Sequence, residues 1–431
     1  QIIINALVMQ IVFASLGSLG DLHPLLALAR ASSERGHIVV IATSETYREY
    51  IASLGFTFRP IRPDFEPAVL GRLFDPHKGP QRLLCEQVFT NVRKTYEDLL
   101  EASRDADFLF VGELLYVAPL VADKLGIPWA NGILAPTSFL SALDAPVLAP
   151  AQALHCLRHL GNWPYRLIFA LGRRETIRWS KPLRDFRQEL GFPPGPSPVF
   201  NGKHSPLLVL ALFPEFLAKP ELDWPVNVTQ TGFPFFAQSI KPEMAKKLDA
   251  FFARGEAPVV FTLGTSVVHI AENFYQLAAE AAQTLDRRAI LLIGKNSPPA
   301  NLPDSILAID YAPLEAVLPH AAVVVHQGGI GTCAEALRAG IPSLVIPFGF
   351  DQPDNGFRLK RLGVARVLHR DRVSCKSLIK NLRAILENPA MTDRARTFAG
   401  KIHPNPELAA SIDAIEKIGA QYFQSAELQP S

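Results

Sequence analysis

Nothing constrains this chain more than a rhythm that occurs twice: short aliphatic, β-branched runs, each followed by a stretch of helical periodicity. QIVFA (10–14), HIVVIAT (37–43), DFLFVG (107–112) and IPWANGI (127–133) are such runs in the first half, where LLVLAL (207–212) and the more polar GFTFRPI (55–61) also read as strands. Each of the first four is close to apolar throughout rather than alternating, the signature of strands buried on both faces of a parallel sheet. Between the first two, LHPLLALARASSERG puts Leu22, Leu25, Leu26 and Ala29 on one helical face. Pro24 falls in the first turn of that helix, where its missing N–H has no intrahelical partner to lose. The second half repeats the pattern in APVVFTLGTS (257–266), RRAILLIG (287–294), SILAIDYAP (305–313), AAVVVHQGG (321–329) and IPSLVIPFG (341–349). The expected fold is α/β, two doubly wound Rossmann-like domains facing a central cleft.

A chain of 431 residues is too long for one ordinary core. Prolines cluster between 213 and 240 and mark the joint: an N-terminal domain over 1–230, a C-terminal domain over 231–404, and a final helical segment, 405–431. With no strand after it, that segment is expected to pack back across the boundary. Residues 136–200, typified by NWPYRLIFALG, interrupt the rhythm and read as inserted helices and loops. The opening QIIINALVMQIVFASLGSLGD lacks the basic region of a secretory leader and reads as a buried strand entering a glycine turn. Met9 reads as a native first residue with 1–8 as an upstream extension.

Hydrophobic residues make up 48% of the chain and charged ones 19%, a balance suited to a packed enzyme. A net charge of +2 argues against nucleic acid or an anionic membrane as a partner reached by bulk electrostatics. No transmembrane segment is expected, since about 18 uninterrupted apolar residues occur nowhere; peripheral membrane contact stays open. Cys85, Cys156, Cys333 and Cys375 are scattered, without a disulfide framework, which favours a cytoplasmic setting.

The chemistry concentrates in HQGGIGTCAEAL (326–337). A strand ending at Val325, a glycine turn and a helix starting near Thr332 and closing at Gly340 read either as an anion site or as a plain glycine-rich turn with His326 hydrogen-bonded to backbone. As an anion site, backbone N–H groups at 328, 329 and 331 and the helix start would point at the ligand, and His326 would reach the same anion. Thr332 either caps the helix or donates to a phosphate oxygen. The spacing is neither Walker A nor G-x-G-x-x-G.

With its flanks, YAPLEAVLPHAAVVVHQGGIGTCAEALRAGIPSLVIPFGFDQPDN (311–355) resembles the donor-site signature of nucleotide-sugar-dependent glycosyltransferases of GT-B fold, the family 1 and macrolide type. It looks nearest to the bacterial rhamnolipid rhamnosyltransferase chain. LFPEFLAKPELDWPVNVTQTGFP and GSLGDLHP are similar to that group too, so the resemblance covers most of the chain. It implies that Tyr311 stacks on the nucleotide base, although Leu314 stands where glutamine is usual. It implies diphosphate contacts from His326, Gly329, Gly331 and Thr332, and from Gly264, Thr265 and Ser266 on the opposite loop. Glu335 would accept from the ribose hydroxyls, which tilts the donor toward UDP over dTDP. Asp351 and Gln352 would hold the sugar, with a helix cap as the plainer reading of Asp351.

The family's reaction inverts the anomeric centre without a metal or resident cofactor, the nucleotide sugar being a co-substrate. It needs a base at the first glycine turn. GSLGDLHP puts Asp21 there, with His23 in reserve, Asp21 also being a natural N-cap. Glu113 matches the acid that orients the base or binds acceptor. The acidic triplet Asp105–Ala106–Asp107 lies at the wrong edge of the sheet for a metal, and His155 and His159 read as a polar helix face. Residues 64–100 and 136–200 would line a site for a hydrophobic, hydroxyl-bearing small molecule, or else form an ordinary helical core between the domains. Two other classes share the fold: a nucleotide-sugar epimerase and a non-catalytic sugar-nucleotide-binding subunit. A dinucleotide oxidoreductase is disfavoured because GSLGD lacks the glycine spacing.

Overall fold

The computed structural model describes residues 8–65, 72–75 and 77–427. Most of the segment read as an upstream extension, residues 1–7, lies outside them, as do 66–71 and 76 on the expected acceptor side. The strands, in chain order, are β1 (Gln10–Ala14), β2 (Ile38–Thr43), β3 (Thr57–Pro60), β4 (Phe108–Val111), β5 (Trp129–Ile133), β6 (Val209–Ala211) and β7 (Val228–Gln230). These are followed by β8 (Val259–Thr262), β9 (Ala289–Leu292), β10 (Ile306–Ile309), β11 (Val323–His326), β12 (Ser343–Val345) and β13 (Ala365–Val367). The first seven form one sheet in the order β3-β2-β1-β4-β5-β6-β7 and the last six another, β10-β9-β8-β11-β12-β13. Every pairing is parallel.

The apolar runs explain this arrangement. Along β1, Val12 and Ala14 point into one layer with Leu99, Leu109 and Val121, whereas Ile11 and Phe13 point into the other with Leu22, Leu26 and Phe110. In the second sheet Phe261 and Val325 face one layer while Val260 and Val324 face the other. Helices therefore cover both faces of both sheets. Each sheet has a point where the strand order reverses, between β1 and β4 and between β8 and β11. Ligands of doubly wound folds bind beyond the strand ends at such points.

Two strands escape the sequence pattern. β7 lies inside the proline-rich passage at the edge of its sheet, and β13 carries Arg366, whose Nε donates to Asn381 at 2.9 Å. The sequence QRLLCEQVFTNVRKTYEDLLEA (81–102) has the pattern of a single helix, but the chain there forms a π turn at Leu83–Val88, a 3-10 turn at Phe89–Asn91 and a regular helix, Val92–Ala102. The cause is local: Thr90 Oγ1 donates to the Cys85 carbonyl at 2.6 Å and Asn91 Nδ2 to that of Gln87 at 2.7 Å, competing with the ladder.

Three sets of contacts, among others, join the two lobes. An apolar layer runs from Phe139, Phe213 and Trp224 to Leu337, Leu359 and Ile402. Arg358, only 2% exposed, donates from Nε to Asp354 at 2.7 Å and from Nη1 to Asp144 and to the Leu217 carbonyl. Asp354 in turn accepts from the Val147 N–H at 2.9 Å, which fastens the inserted region to the second lobe. Finally, the Pro404–Glu427 helix crosses from the second lobe to lie on the Leu19–Glu34 helix. There Arg35 meets Asp413 at 2.6 Å and Glu416 at 2.8 Å, and Ile412 and Ile415 are fully buried.

Candidate active site

The first turn of the first lobe is built by its own sequence. Ser18, not Asp21, is the N-cap of the Leu19–Glu34 helix. Asp21 is the third helical residue and completes a capping box, its Oδ2 accepting from the Ser18 N–H at 2.8 Å and from the Ser18 hydroxyl at 3.1 Å. The N-cap reading of Asp21 is thus corrected by three residues, and Pro24, expected in the first turn, is the sixth helical residue and lies inside the helix. Burial pushes the Asp21 carboxyl up to about 6; the Ser18 donors oppose the rise and the Glu113 carboxylate adds to it.

Glu113 follows β4 across the switch point. Its Oε1 accepts from the Leu134 N–H at 3.3 Å and its Oε2 from Lys203 Nζ at 3.4 Å. Lys203 is a long cation with an almost fully buried side chain, and no local pattern in the sequence marks it. His23 is placed elsewhere. Two residues along a helix, its ring points about 200° away from Asp21. It contacts the Tyr50 hydroxyl at 3.1 Å and stacks on Phe236 at 5.5 Å, and burial lowers it to about 4. The geometry makes it a packing residue near the interlobe joint.

In the second lobe the helix begins at Ile330, with Gly329 as N-cap, and closes at the left-handed Gly340. It therefore starts two residues before the expected position, and Thr332 is a buried residue of its first turn rather than its cap. His326 is fully buried; its Nδ1 accepts from the Gly328 N–H at 3.1 Å. Burial lowers this imidazole to about 3, so the ring is neutral and its one proton sits on Nε2. That N–H has no partner among the described residues.

The glycines divide by role. A Cβ on Gly264 would lie 2.1 Å from Gln327 Nε2 and one on Gly329 2.8 Å from it, so the Gln327 amide fills the space between the two loops. Of the glycines in these two loops, Gly331 alone opens onto free space, with nothing within 4 Å of an added Cβ. Thr265 and Ser266, half-buried, lie in the short Gly264–Val267 turn after β8, which abuts the Leu19–Glu34 helix of the first lobe.

Asp351 sits just before the Gln352–Arg361 helix, with no side-chain capping bond there. Asn355 Nδ2 donates to Asp351 at 2.6 Å and to the Gly328 carbonyl at 3.0 Å, tying Asp351 to the glycine turn. Burial raises Asp351 to about 7; Asn355 opposes this, and Asp21 and Glu113 add to it from across the cleft. The Gln352 carbonyl oxygen is taken by the Phe348 and Gly349 N–H groups at 2.8 and 3.2 Å, which leaves its NH2 as the free end.

A carboxyl whose folded value lies above its ordinary value of about 4 contributes stability fully below that pH and loses it as pH rises through the folded value. Asp351→Asn is therefore expected to raise the melting temperature of the ligand-free protein more at pH 8 than at pH 5. Thermal denaturation at the two pH values checks this.

Tyr311 is 46% exposed, its hydroxyl on Gln238 at 2.5 Å. Glu335 pairs with Arg338 at 2.6 Å, and Arg338 also reaches Glu315 at 3.3 Å. Burial raises Glu335 to about 7 against the opposing Arg338 charge. Asp107 accepts from the Gln10 N–H at 2.7 Å at the amino end of the strands, opposite the cleft. His155 lies in a 3-10 segment, Ala149–Leu160, edge-on to Phe357 at 4.2 Å, so it and His159 do not form the expected α-helical face.

The profile of the erythromycin biosynthesis protein CIII-like C-terminal domain matches residues 276–417. O-mycaminosyltylonolide 6-deoxyallosyltransferase of Streptomyces fradiae is 32% identical over 410 residues, 90% of this chain and 92% of that one. Sterol 3-beta-glucosyltransferase of Debaryomyces hansenii is 26% identical over 93% of this chain, which covers 26% of that protein. Among solved structures, spinosyn forosaminyltransferase SpnP superposes with a TM-score of 0.70 at 18% identity, covering 96% and 99% of the two chains. Glycosyltransferase VinC, solved in complex with dTDP, gives 0.68 at 21% over 96% and 100%. The twin parallel sheets and the full-length likeness agree, and the chain belongs to the family 1 glycosyltransferases of macrolide type, with the GT-B fold.

Proposed function

We propose that this protein is an inverting, metal-independent glycosyltransferase that moves a hexose, glucose in the first instance, from a UDP-sugar to a hydroxyl of a hydrophobic small molecule. The observation that carries the reading is His326: a neutral, buried ring with one unpaired N–H at the switch point of the second sheet. Such a donor costs stability while unpaired and recovers it against an anion.

In this mechanism Asp21 takes the proton of the acceptor hydroxyl. The acceptor oxygen bonds to the anomeric carbon from the face opposite the leaving group, while the bond to the diphosphate oxygen breaks. The charge left on the diphosphate meets donors already in place: His326 Nε2–H, the free N–H groups at the start of the Ile330–Ala339 helix, and the hydroxyls of Thr332, Thr265 and Ser266. Asp351 and the Gln352 NH2 hold the sugar, Glu335 the ribose, and Tyr311 the base. The acceptor lies on the first-lobe side, beside Glu113. The names of the relatives, an O-mycaminosyltylonolide transferase and a sterol glucosyltransferase, support an apolar, hydroxyl-bearing acceptor.

The VinC complex and a spinosyn rhamnosyltransferase solved with thymidine diphosphate favour dTDP as the second reading of the donor, including dTDP-L-rhamnose. A panel of UDP- and dTDP-sugars against mixed hydrophobic acceptors, with and without chelator, separates the two. Transfer is expected to survive the chelator and to prefer UDP. Abolition by chelator, or equal use of dTDP-sugars, overturns the corresponding part. Glu335→Gln is expected to weaken UDP binding by about tenfold, the loss of one hydrogen bond to a charged acceptor, measured by calorimetry.

A further inference from the structure

The inserted region contains a helix whose outer face the catalytic reading leaves without a task. Trp163–Trp179 turns Tyr165 and Phe169 inward against Phe200 and Ala142. On the opposite side Trp163, Leu167 and Leu171, spaced four apart, are 60%, 55% and 60% exposed. At 3.6 residues per turn they form one apolar strip at the start of the helix. Arginines flank and extend it: Arg166 beside the strip, then Arg173, Arg174 and Arg178 toward the C-terminal end, all exposed. Within this helix four arginines stand against one glutamate, so this single helix exceeds the net +2 of the entire protein.

Charge neutrality in bulk therefore conceals a strongly basic, apolar-tipped face. Leu160, at the end of the preceding 3-10 segment, is 57% exposed and adjoins the strip in sequence. No helix among the described residues is long and apolar enough to cross a bilayer, so the face belongs to a surface contact rather than a span.

We propose that the outer face of the Trp163–Trp179 helix docks the protein on an anionic lipid bilayer. Trp163, Leu167 and Leu171 enter the boundary between headgroups and acyl chains, and Arg166, Arg174 and Arg178 meet the lipid phosphates. Charge decides between occupants: a second copy of this chain would set two strongly basic faces against each other, while an anionic bilayer complements this one. The docking does not depend on the donor or acceptor assignments above. It does place the inward side of the helix, and the acceptor region it covers, about one helix diameter from the lipid.

Flotation of the full chain with phosphatidylcholine vesicles, with and without about 30 mol % phosphatidylglycerol at ~0.1 M salt, tests the proposal. The protein is expected to float with the anionic vesicles and not with the neutral ones. Trp163→Ser/Leu167→Ser/Leu171→Ser and, separately, Arg166→Gln/Arg174→Gln are each expected to lower the partition coefficient about tenfold or more. Unchanged melting temperature and UDP affinity certify that both variants are folded. Failure of the wild type to float, or flotation indifferent to both variants, overturns the proposal. So does a wild-type dimer in solution that the serine variant converts to monomer, because the face would then belong to a second copy.

Discussion

Asp21→Asn is expected to lower kcat by about 10²–10⁴-fold, the usual range for losing a general base, with UDP affinity unchanged. The substitution is nearly isosteric, and an amide oxygen still accepts from the Ser18 N–H at the position Oδ2 now holds. The helix start therefore persists, and the loss reports proton abstraction rather than a frayed cap. The same residue sets a pH signature. A base works only when deprotonated, and burial holds this carboxyl up at about 6. The kcat/KM of the wild type is accordingly expected to rise with pH through about 6 and then level. Full turnover in Asp21→Asn, in protein that binds UDP, would remove Asp21 from the mechanism.

The second large effect concerns the leaving group. His326→Asn is expected to reduce kcat by about 10²–10³-fold, the usual consequence of deleting one preorganised oxyanion donor. Asparagine is chosen because its Oδ1 sits at the same reach from the backbone as Nδ1 of histidine. It can keep the bond from the Gly328 N–H and omit only the Nε2 donor. His326→Ala removes both and leaves a cavity in a fully buried place, so a comparison of their melting temperatures separates turn stability from catalysis. An Asn variant as active as the wild type would show that the backbone N–H groups and hydroxyls carry the diphosphate without the ring.

How far these residues were legible follows from the distances over which their contacts act. The parallel sheets could be read because β1, β2, β4, β8, β9 and β11 are apolar on both faces, a property of each run alone. The glycine turn and the strand-end position of His326 are local in the same sense. The cap of the first helix was misplaced because Ser18 and Asp21 are both good N-cap residues three apart, and only the backbone angles at Ser18 choose between them. The role of Gln327 was hidden for a different reason. Its amide is held between Gly264 and Gly329, which are 65 residues apart and meet only once β8 and β11 are paired. Lys203 and Arg358 are further cases. Each is a long cation drawn into the interior by carboxylates distant in the chain, Glu113 for one and Asp144 for the other. β7 and β13, three residues each, are too short and too polar to announce themselves.

The path of the Pro404–Glu427 helix bears on how such enzymes can be recombined. The chain leaves the first sheet after β7, builds the second, and then returns, so the first lobe is made of two separated pieces of sequence. Gly419 lies so close to Met9 that an added Cβ would come within 2.4 Å of its sulfur, and Ser411 donates to Thr231 at 2.7 Å. A hybrid made by exchanging everything after residue 240 would graft a foreign helix onto the first lobe's own hydrophobic surface. Grafts of the second lobe need two crossovers, the second just ahead of Pro404, so that each half keeps the partner against which its side chains were fitted.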